Sequence, residues 1–466
     1  MRGMITRRRM LRTSAATGVG LLAAGSGFRV LGQDNQNLDL PVGSAGKLTV
    51  IHRTEYFAQA QNLFRQIVTD FASADGAELD ISTTNAEAFG DFLGKMTAAV
   101  RAGNPPDIAY TSNVSIAQMH LLGLVEDVTD VVEEAVSRYG GIMQGINAEK
   151  LGQFDGKWAS IPFLAGTPGY FIRGDKLAEM GIDPASLDTY DKRREAALSM
   201  SDPDSRMWGW GLTPNQSGDG YGFLISLVQA FGGHYTDPSG MKVEFDSPET
   251  VAAFEWLAET YDRSGKYGAM LPPGVESWGD ISNNEAFLAG NIGYTHNAFS
   301  VYAQAKREEN PVFEDIVVLK APKANNGDSR DLGDVNGWLT IFRGAPNVDL
   351  AKELALDLLD PANFTRMSTV AGGLFMPAYE NLWTEELLAA DPNFAIIKEQ
   401  VSNPDPFLGP SWPADPNAAI DAIRAQGVLE QAVGNMIAGR MNPPDAVADA
   451  HQKIVNIFEE GGIMQD

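Results

Sequence analysis

Strand-like and helix-like segments take turns over residues 47–111, and this alternation constrains the fold more than any other feature of the chain. Lys47-Leu-Thr-Val-Ile51 reads as a strand. Residues 57–71 carry Ala60, Leu63, Phe64, Ile67, Val68 and Phe71 at spacings that fall on one face of a helix. Leu79-Asp-Ile-Ser-Thr83 reads as a second strand. Phe89, Phe92, Leu93, Met96 and Val100 make a second helical stripe, closed by Gly103 and Pro105-Pro106. Asp107-Ile-Ala-Tyr-Thr111 reads as a third strand. The natural architecture for this order is α/β, a parallel sheet covered by helices.

The same grammar continues downstream. Strands are expected at 169–173, 292–295, 316–319 and 338–342, with a short helix from Asp175. A Gly-rich stretch, 208–222, leads into an apolar helix at 223–231. Ser247-Pro248-Glu249 opens another helix, because Ser caps orphan amides and Pro fits a first turn. From about Leu350 the pattern is mostly helical, ending in the stripe Val447, Ala450, Ile454, Val455, Phe458. A length of 466 residues leaves room for two or three domains.

Composition removes whole chemistries. Without cysteine there is no disulfide framework, thiolate metal site, iron–sulfur cluster, cysteine nucleophile or cysteine-linked lipid anchor. The five histidines show no metal-motif spacing, and no cofactor motif is found outside the first thirty residues. The formal charge is −26, from 35 basic and 61 acidic residues. Residues 1–33 hold six of the arginines and no acid, so the remainder stands at 29 − 61 = −32. Such a surface disfavours nucleic acid and anionic membranes and keeps a monomer soluble.

Thr6-Arg-Arg-Arg-Met-Leu-Arg12 precedes an apolar, small-residue run over 13–24. A basic start, a short apolar stretch and small residues before a junction describe an export signal over 1–33, of twin-arginine type, with cleavage near Gly32. The run is too short for a bilayer span, which needs ~20 apolar residues. The expected location is periplasmic or otherwise extracytoplasmic.

Several stretches, in order, resemble family 1 of the extracellular solute-binding proteins, the sugar-binding partners of ABC importers. They are Lys95-Met-Thr-Ala-Ala-Val-Arg-Ala-Gly-Asn-Pro-Pro-Asp-Ile-Ala-Tyr110, Gly123-Leu-Val-Glu-Asp-Val128, Asp155-Gly-Lys-Trp-Ala-Ser-Ile-Pro162, Tyr170-Phe-Ile-Arg-Gly-Asp-Lys-Leu177, Phe287-Leu-Ala-Gly-Asn-Ile-Gly-Tyr294, Gly337-Trp338 and Ala351-Lys-Glu-Leu-Ala355. The resemblance implies a periplasmic-binding-protein-like fold: two α/β lobes with discontinuous chain crossings and a ligand cleft between them. The expected first lobe is 46–160 plus 290–327, and the second 161–289 plus 328–466. It also implies a small carbohydrate or polyol as ligand, membrane permease subunits as partners, no catalysis and no cofactor.

Candidate site residues are sought at strand ends, because open α/β sheets bind ligands there. A sugar needs polar partners for its hydroxyls and aromatic faces for its C–H patches. His52-Arg53-Thr54-Glu55-Tyr56 puts polar groups and an aromatic ring where a plain turn would use Gly, Asn or Pro. The resemblance puts this loop on the cleft; a salt-linked helix start is the other reading. Thr83-Thr84-Asn85 and Tyr110-Thr111-Ser112-Asn113 end the next strands, the first being equally readable as a helix cap. Gly166-Thr167-Pro168-Gly169 is either ligand-facing or a bare turn at the crossing. The loop Asn215-Gln-Ser-Gly-Asp219-Gly-Tyr221, Trp278, and His296-Asn297 at the end of the return strand follow, with core packing as the alternative for His296. Gly337 and Trp338, on a strand expected in the second lobe, Gly373 and Trp412 complete the set, while Trp256 and Trp383 read as packing.

Two other functions fit the same sequence. An exported glycoside hydrolase needs only two carboxylates without signature spacing. A binding protein for a polyamine or other small cation would use the acidic groups and aromatic faces directly.

Overall fold

The computed structural model describes residues 40–84, 89–112, 114–404 and 407–465. The expected export signal and cleavage junction, Asn85 and Asn113 lie outside the described residues. Chain order begins β1 (Lys47–Arg53), α1 (Ala58–Asp75), β2 (Glu78–Thr84), α2 (Phe89–Ala102), β3 (Ile108–Thr111), α3 (Thr129–Tyr139), β4 (Ile161–Gly166) and β5 (Gly169–Arg173). It continues with β6 (Trp208–Trp210), α4 (Gly218–Ala230), α5 (Pro248–Tyr261), α6 (Ser282–Leu288), β7 (Ile292–Asn297), α7 (Ser300–Arg307) and β8 (Ile316–Leu319). Then come β9 (Asp334–Ile341), α8 (Val348–Leu358), α9 (Pro361–Ala371), β10 (Met376–Pro377), α10 (Ala418–Ala425), α11 (Val428–Ile437) and α12 (Pro443–Glu460).

Local chemistry accounts for the element ends. Ala60, Phe64, Ile67, Val68 and Ala72 make the buried face of α1, and Gly76, at φ 74°, closes it by donating to the last carbonyls. The Ser247 hydroxyl accepts from the Thr250 amide ahead of Pro248, as the sequence predicts for α5. The apolar helix expected at 223–231 starts earlier, at Gly218, because the Ser217 hydroxyl caps it by accepting from Gly220.

Two sheets result. The first has the order β10-β4-β9-β3-β1-β2 and the second β8-β5-β7-β6. The expected all-parallel sheet is confined to β2-β1-β3; β9 slots antiparallel between β3 and β4. The second sheet is antiparallel except where β6 runs beside β7. Each sheet owns a hydrophobic core. One gathers residues from Leu48 to Ala165 and again from Val335 to Val401; the other gathers Tyr170 to Val275 and then Ala419 to Ile463.

The pairing corrects the expected lobe boundaries. Strands β7 and β8, within the span assigned to the first lobe, hydrogen-bond to β5 and lie in the second. Strand β9 and helices α8 and α9, assigned to the second lobe, belong to the first. Helix α7 departs from β7 yet packs Val301 and Tyr302 into the first core. Between the lobes the chain crosses at 167–168, again over 320–333 and again over 402–417. Among the described residues no helix is long and apolar enough to cross a membrane.

Candidate ligand cleft

Topology fixes which strand ends meet. In the first sheet β1, β2 and β3 run in parallel, and β4, twice reversed through β9, runs with them. Their carboxyl ends therefore share one edge, together with the start of β9, where Asp334 pairs with Gly166. In the second sheet Gly169 at the start of β5 pairs with Asn297 at the end of β7. Only Thr167 and Pro168 separate β4 from β5, so these two edges face each other.

The first-lobe wall is built on a charged pair. Arg53 Nε and Nη2 donate to the two Glu55 oxygens at 3.0 and 3.1 Å, and Nη1 donates to the Ser112 hydroxyl at 2.8 Å. The guanidinium carbon lies 5.6 Å from the Tyr110 ring centroid. Tyr110 is held edge-on by Phe163 and Phe375, and its buried hydroxyl has no hydrogen bond closing on it. The Thr84 and Thr111 hydroxyls, on the ends of β2 and β3, are likewise buried and unpartnered. Gly337 is required here: a Cβ would stand 2.6 Å from the Tyr110 ring.

The second-lobe wall centres on Asp219, in the first turn of α4. Asn283 and Asn297 donate to its Oδ2 at 2.9 and 2.7 Å. Burial and the neighbouring Asp280 push this carboxyl well above the ordinary carboxylate range. Asp280 itself accepts from the Gly218 and Asp219 amides, so a carboxylate of the chain already occupies the amide end of α4. His296 stacks on Tyr170 with ring centres 4.7 Å apart; its Nδ1 is buried without a partner, and burial lowers the ring to about 4. Asn284 donates to the Tyr56 hydroxyl at 3.2 Å, while its own Oδ1 stays unpartnered.

Three groups close the picture on the α10 side. Asp334 is exposed at the start of β9 and its Oδ1 accepts from the Val335 amide at 2.8 Å, while burial raises its carboxyl to about 6 against the pull of Arg424. Asp421 on α10 is raised by burial too, with the Ser115 hydroxyl and Arg424 pulling it back. The Arg424 guanidinium lies 5.1 Å from the Tyr221 ring centroid.

Several expected site residues sit elsewhere. His52 turns under α1, against Phe64. Its Nδ1 donates to the Arg53 carbonyl at 2.8 Å and its Nε2 accepts from Arg65 at 2.9 Å, a neutral tautomer that burial enforces by lowering the ring to about 4. Trp338 is in the first core, its ring so near Gly152 that a Cβ there would lie 2.5 Å away. Asn215 spends its amide on the Ser277 and Trp278 carbonyls. Gly373, at φ 100°, makes a turn packed on Phe299 and Phe394. Trp412 stacks beside Phe407 in the third crossing. Gly166 lies under the Asn336 amide, and Thr167 donates to the Leu332 carbonyl at 2.8 Å. Trp278 keeps a place at the lobe boundary, half-buried against both cores.

The residues missed from sequence are Asn283, Asn284, Asp334, Asp421 and Arg424. Asn283-Asn284 on a short helix carried a signal of sorts, a polar pair beside Trp278. Asp334 carried none, since only the pairing of β9 with β4 delivers it to the edge.

A hinged pair of α/β lobes with polar strand ends facing each other defines a solute-binding protein. Residues 66–396 match the family model described as bacterial extracellular solute-binding protein, and the chain belongs to that family. A maltotriose-binding protein of Pyrococcus abyssi is 24% identical over 169 residues, which is 36% of this chain and 34% of that protein, so the match spans about a third of the relative. An ABC transporter solute-binding protein of Thermotoga lettingae, solved with α-D-tagatose, superimposes with a TM-score of 0.71 at 18% identity, over 89% of this chain and 100% of that one. One from Agrobacterium radiobacter, solved with ribitol, gives 0.70 at 17% identity, over 89% and 98%. At these identities the structures speak to fold.

Proposed function

We propose that this protein captures a carbohydrate or polyol between its lobes outside the cytoplasmic membrane and passes it unchanged to the permease of an ABC importer. The observation that carries this reading is a set of buried polar atoms without partners on both facing edges: the hydroxyls of Thr84, Tyr110 and Thr111 on one side, Asn284 Oδ1 and His296 Nδ1 on the other. Leaving such a group unpaired costs about 1–3 kcal/mol, so the cleft is built for something that brings its own donors and acceptors. Hydroxyls do both. Arg53 is already neutralised by Glu55, and Asp219 is surrounded by amides, an arrangement suited to an uncharged ligand.

The relatives named above carry tagatose, ribitol and, by name, maltotriose, which sets the range of ligands to try. The arginine-rich leader supports export by the twin-arginine route. A thermal-shift screen across sugars, polyols, polyamines and phosphosugars tests the reading, since a ligand bound only by the folded state raises Tm by mass action. The expected result is a rise with a sugar or polyol recovered chemically intact. A rise only with a polyamine or a phosphosugar, or a sugar recovered hydrolysed, would overturn it.

A further inference from the structure

Arg330 lies in the second crossing and is only 8% exposed. Among the described residues its hydrogen bonding is confined to Nη1, which donates to the carbonyl of the preceding Ser329, and Nε has no partner there. A buried cation so poorly bonded needs another source of stabilisation. It has one: the guanidinium carbon is 4.9 Å from the Phe407 ring centroid and 4.8 Å from that of Trp412, whose rings are themselves 5.8 Å apart at 36°. Stacking of a cation on aromatic faces strengthens when water is excluded. Both rings belong to the third crossing.

Backbone bonds stitch the crossings at the same level. The Phe407 amide donates to the Asp331 carbonyl at 3.3 Å, and Thr167, in the first crossing, reaches the neighbouring Leu332. All three connections are thus tied where the lobes must pivot, and the stack is the element whose strength lies in side chains.

We propose that the Arg330 guanidinium, set against the Phe407 and Trp412 rings, pins the second and third crossings together so that the lobes close about one axis, which makes Arg330 a positioning residue for ligand capture. The proposal rests on the binding reading above. Freed crossings would bend separately, spreading the unliganded protein over arrangements that do not close. Apparent affinity falls in proportion to the competent fraction.

The chain has no cysteine, so a fluorophore pair can be placed cleanly at Val136→Cys on α3 and Met180→Cys in the second lobe, both at exposed positions. In this full-length background the variants are Arg330→Lys, which keeps the charge and loses the planar face, Trp412→Ala, which removes one ring, and Trp412→Phe, which keeps an aromatic face. Single-molecule transfer without ligand should give one narrow distance distribution for the parent and Trp412→Phe. Arg330→Lys and Trp412→Ala should broaden it, and each should weaken binding of the sugar or polyol that raised Tm about tenfold. Parent-like distributions and affinities for Arg330→Lys and Trp412→Ala would overturn the proposal. If the parent binds no sugar or polyol, the function proposed above fails while the distance distributions still decide on the pin; and if Trp412→Ala does not fold, Arg330→Lys decides.

Discussion

The Glu55 side chain is 1% exposed and that of its partner Arg53 19%, so the pair at the end of β1 is largely shielded from water. Removing one member of such a pair leaves the other charge unmatched. Glu55→Ala is expected to cost about 3 kcal/mol in a denaturant titration, and to weaken ligand binding in the fraction that folds. Trp338 leads the other way. Its position next to Gly337 at a strand end makes it look like a stacking platform, but the ring fills the first core beside Gly152. Trp338→Ala should lower stability by about 4 kcal/mol and leave the affinity of the folded protein close to that of the parent. A folded, stable variant with lost affinity would return Trp338 to the site.

At the scale of elements, one strand positions much of the first wall. Strand β9 brings Gly337 across Tyr110, and its start carries Asp334 to the edge. A methyl group at Gly337 must displace the Tyr110 ring, and crowding of this kind costs about 1–3 kcal/mol. Gly337→Ala is therefore expected to lower Tm by several degrees and to weaken binding together with stability, because Tyr110 leans on the Arg53 guanidinium. Circular dichroism melts and calorimetric titration on the same sample check both halves. Helix α7 deserves the same attention to context: it starts as the continuation of a second-lobe strand, and Tyr302 donates to Asp391 beyond α9, at 3.0 and 3.1 Å to its two oxygens. Periodicity identifies such a helix; it cannot say which core receives it.

Across the whole molecule, two buried histidines make the fold respond to acid in a definite window. His52 and His296 titrate near 4 when folded and near 6.5 when unfolded, so the unfolded chain takes up their protons first. Their stabilising effect is complete above 6.5 and is lost as pH falls through 4, on the order of 3 kcal/mol for each. Asp334, raised to about 6, works against this: the folded protein binds its proton first, so stability grows as pH falls from about 6 toward 4. Asp219 and Asp421, also raised by burial, act in the same sense as Asp334, so the histidine contribution is read by difference: His52→Gln should lose less Tm between pH 7 and 4.5 than the parent. Equal losses in the two proteins would mean that the folded state does not hold His52 neutral. The sequence by itself determined the elements, the missing thiol chemistry and the strand-end loops, because periodicity, caps and turn residues act over a few neighbours. Only the tertiary structure decided that β9 lies antiparallel between β3 and β4, that β7 and β8 join the second lobe, that His52 faces inward, that Asp219 meets Asn283 and Asn297, and that Asp334 pairs with Gly166 at the sheet edge. Those outcomes depend on which distant surfaces bury one another, and burial is summed over the whole chain.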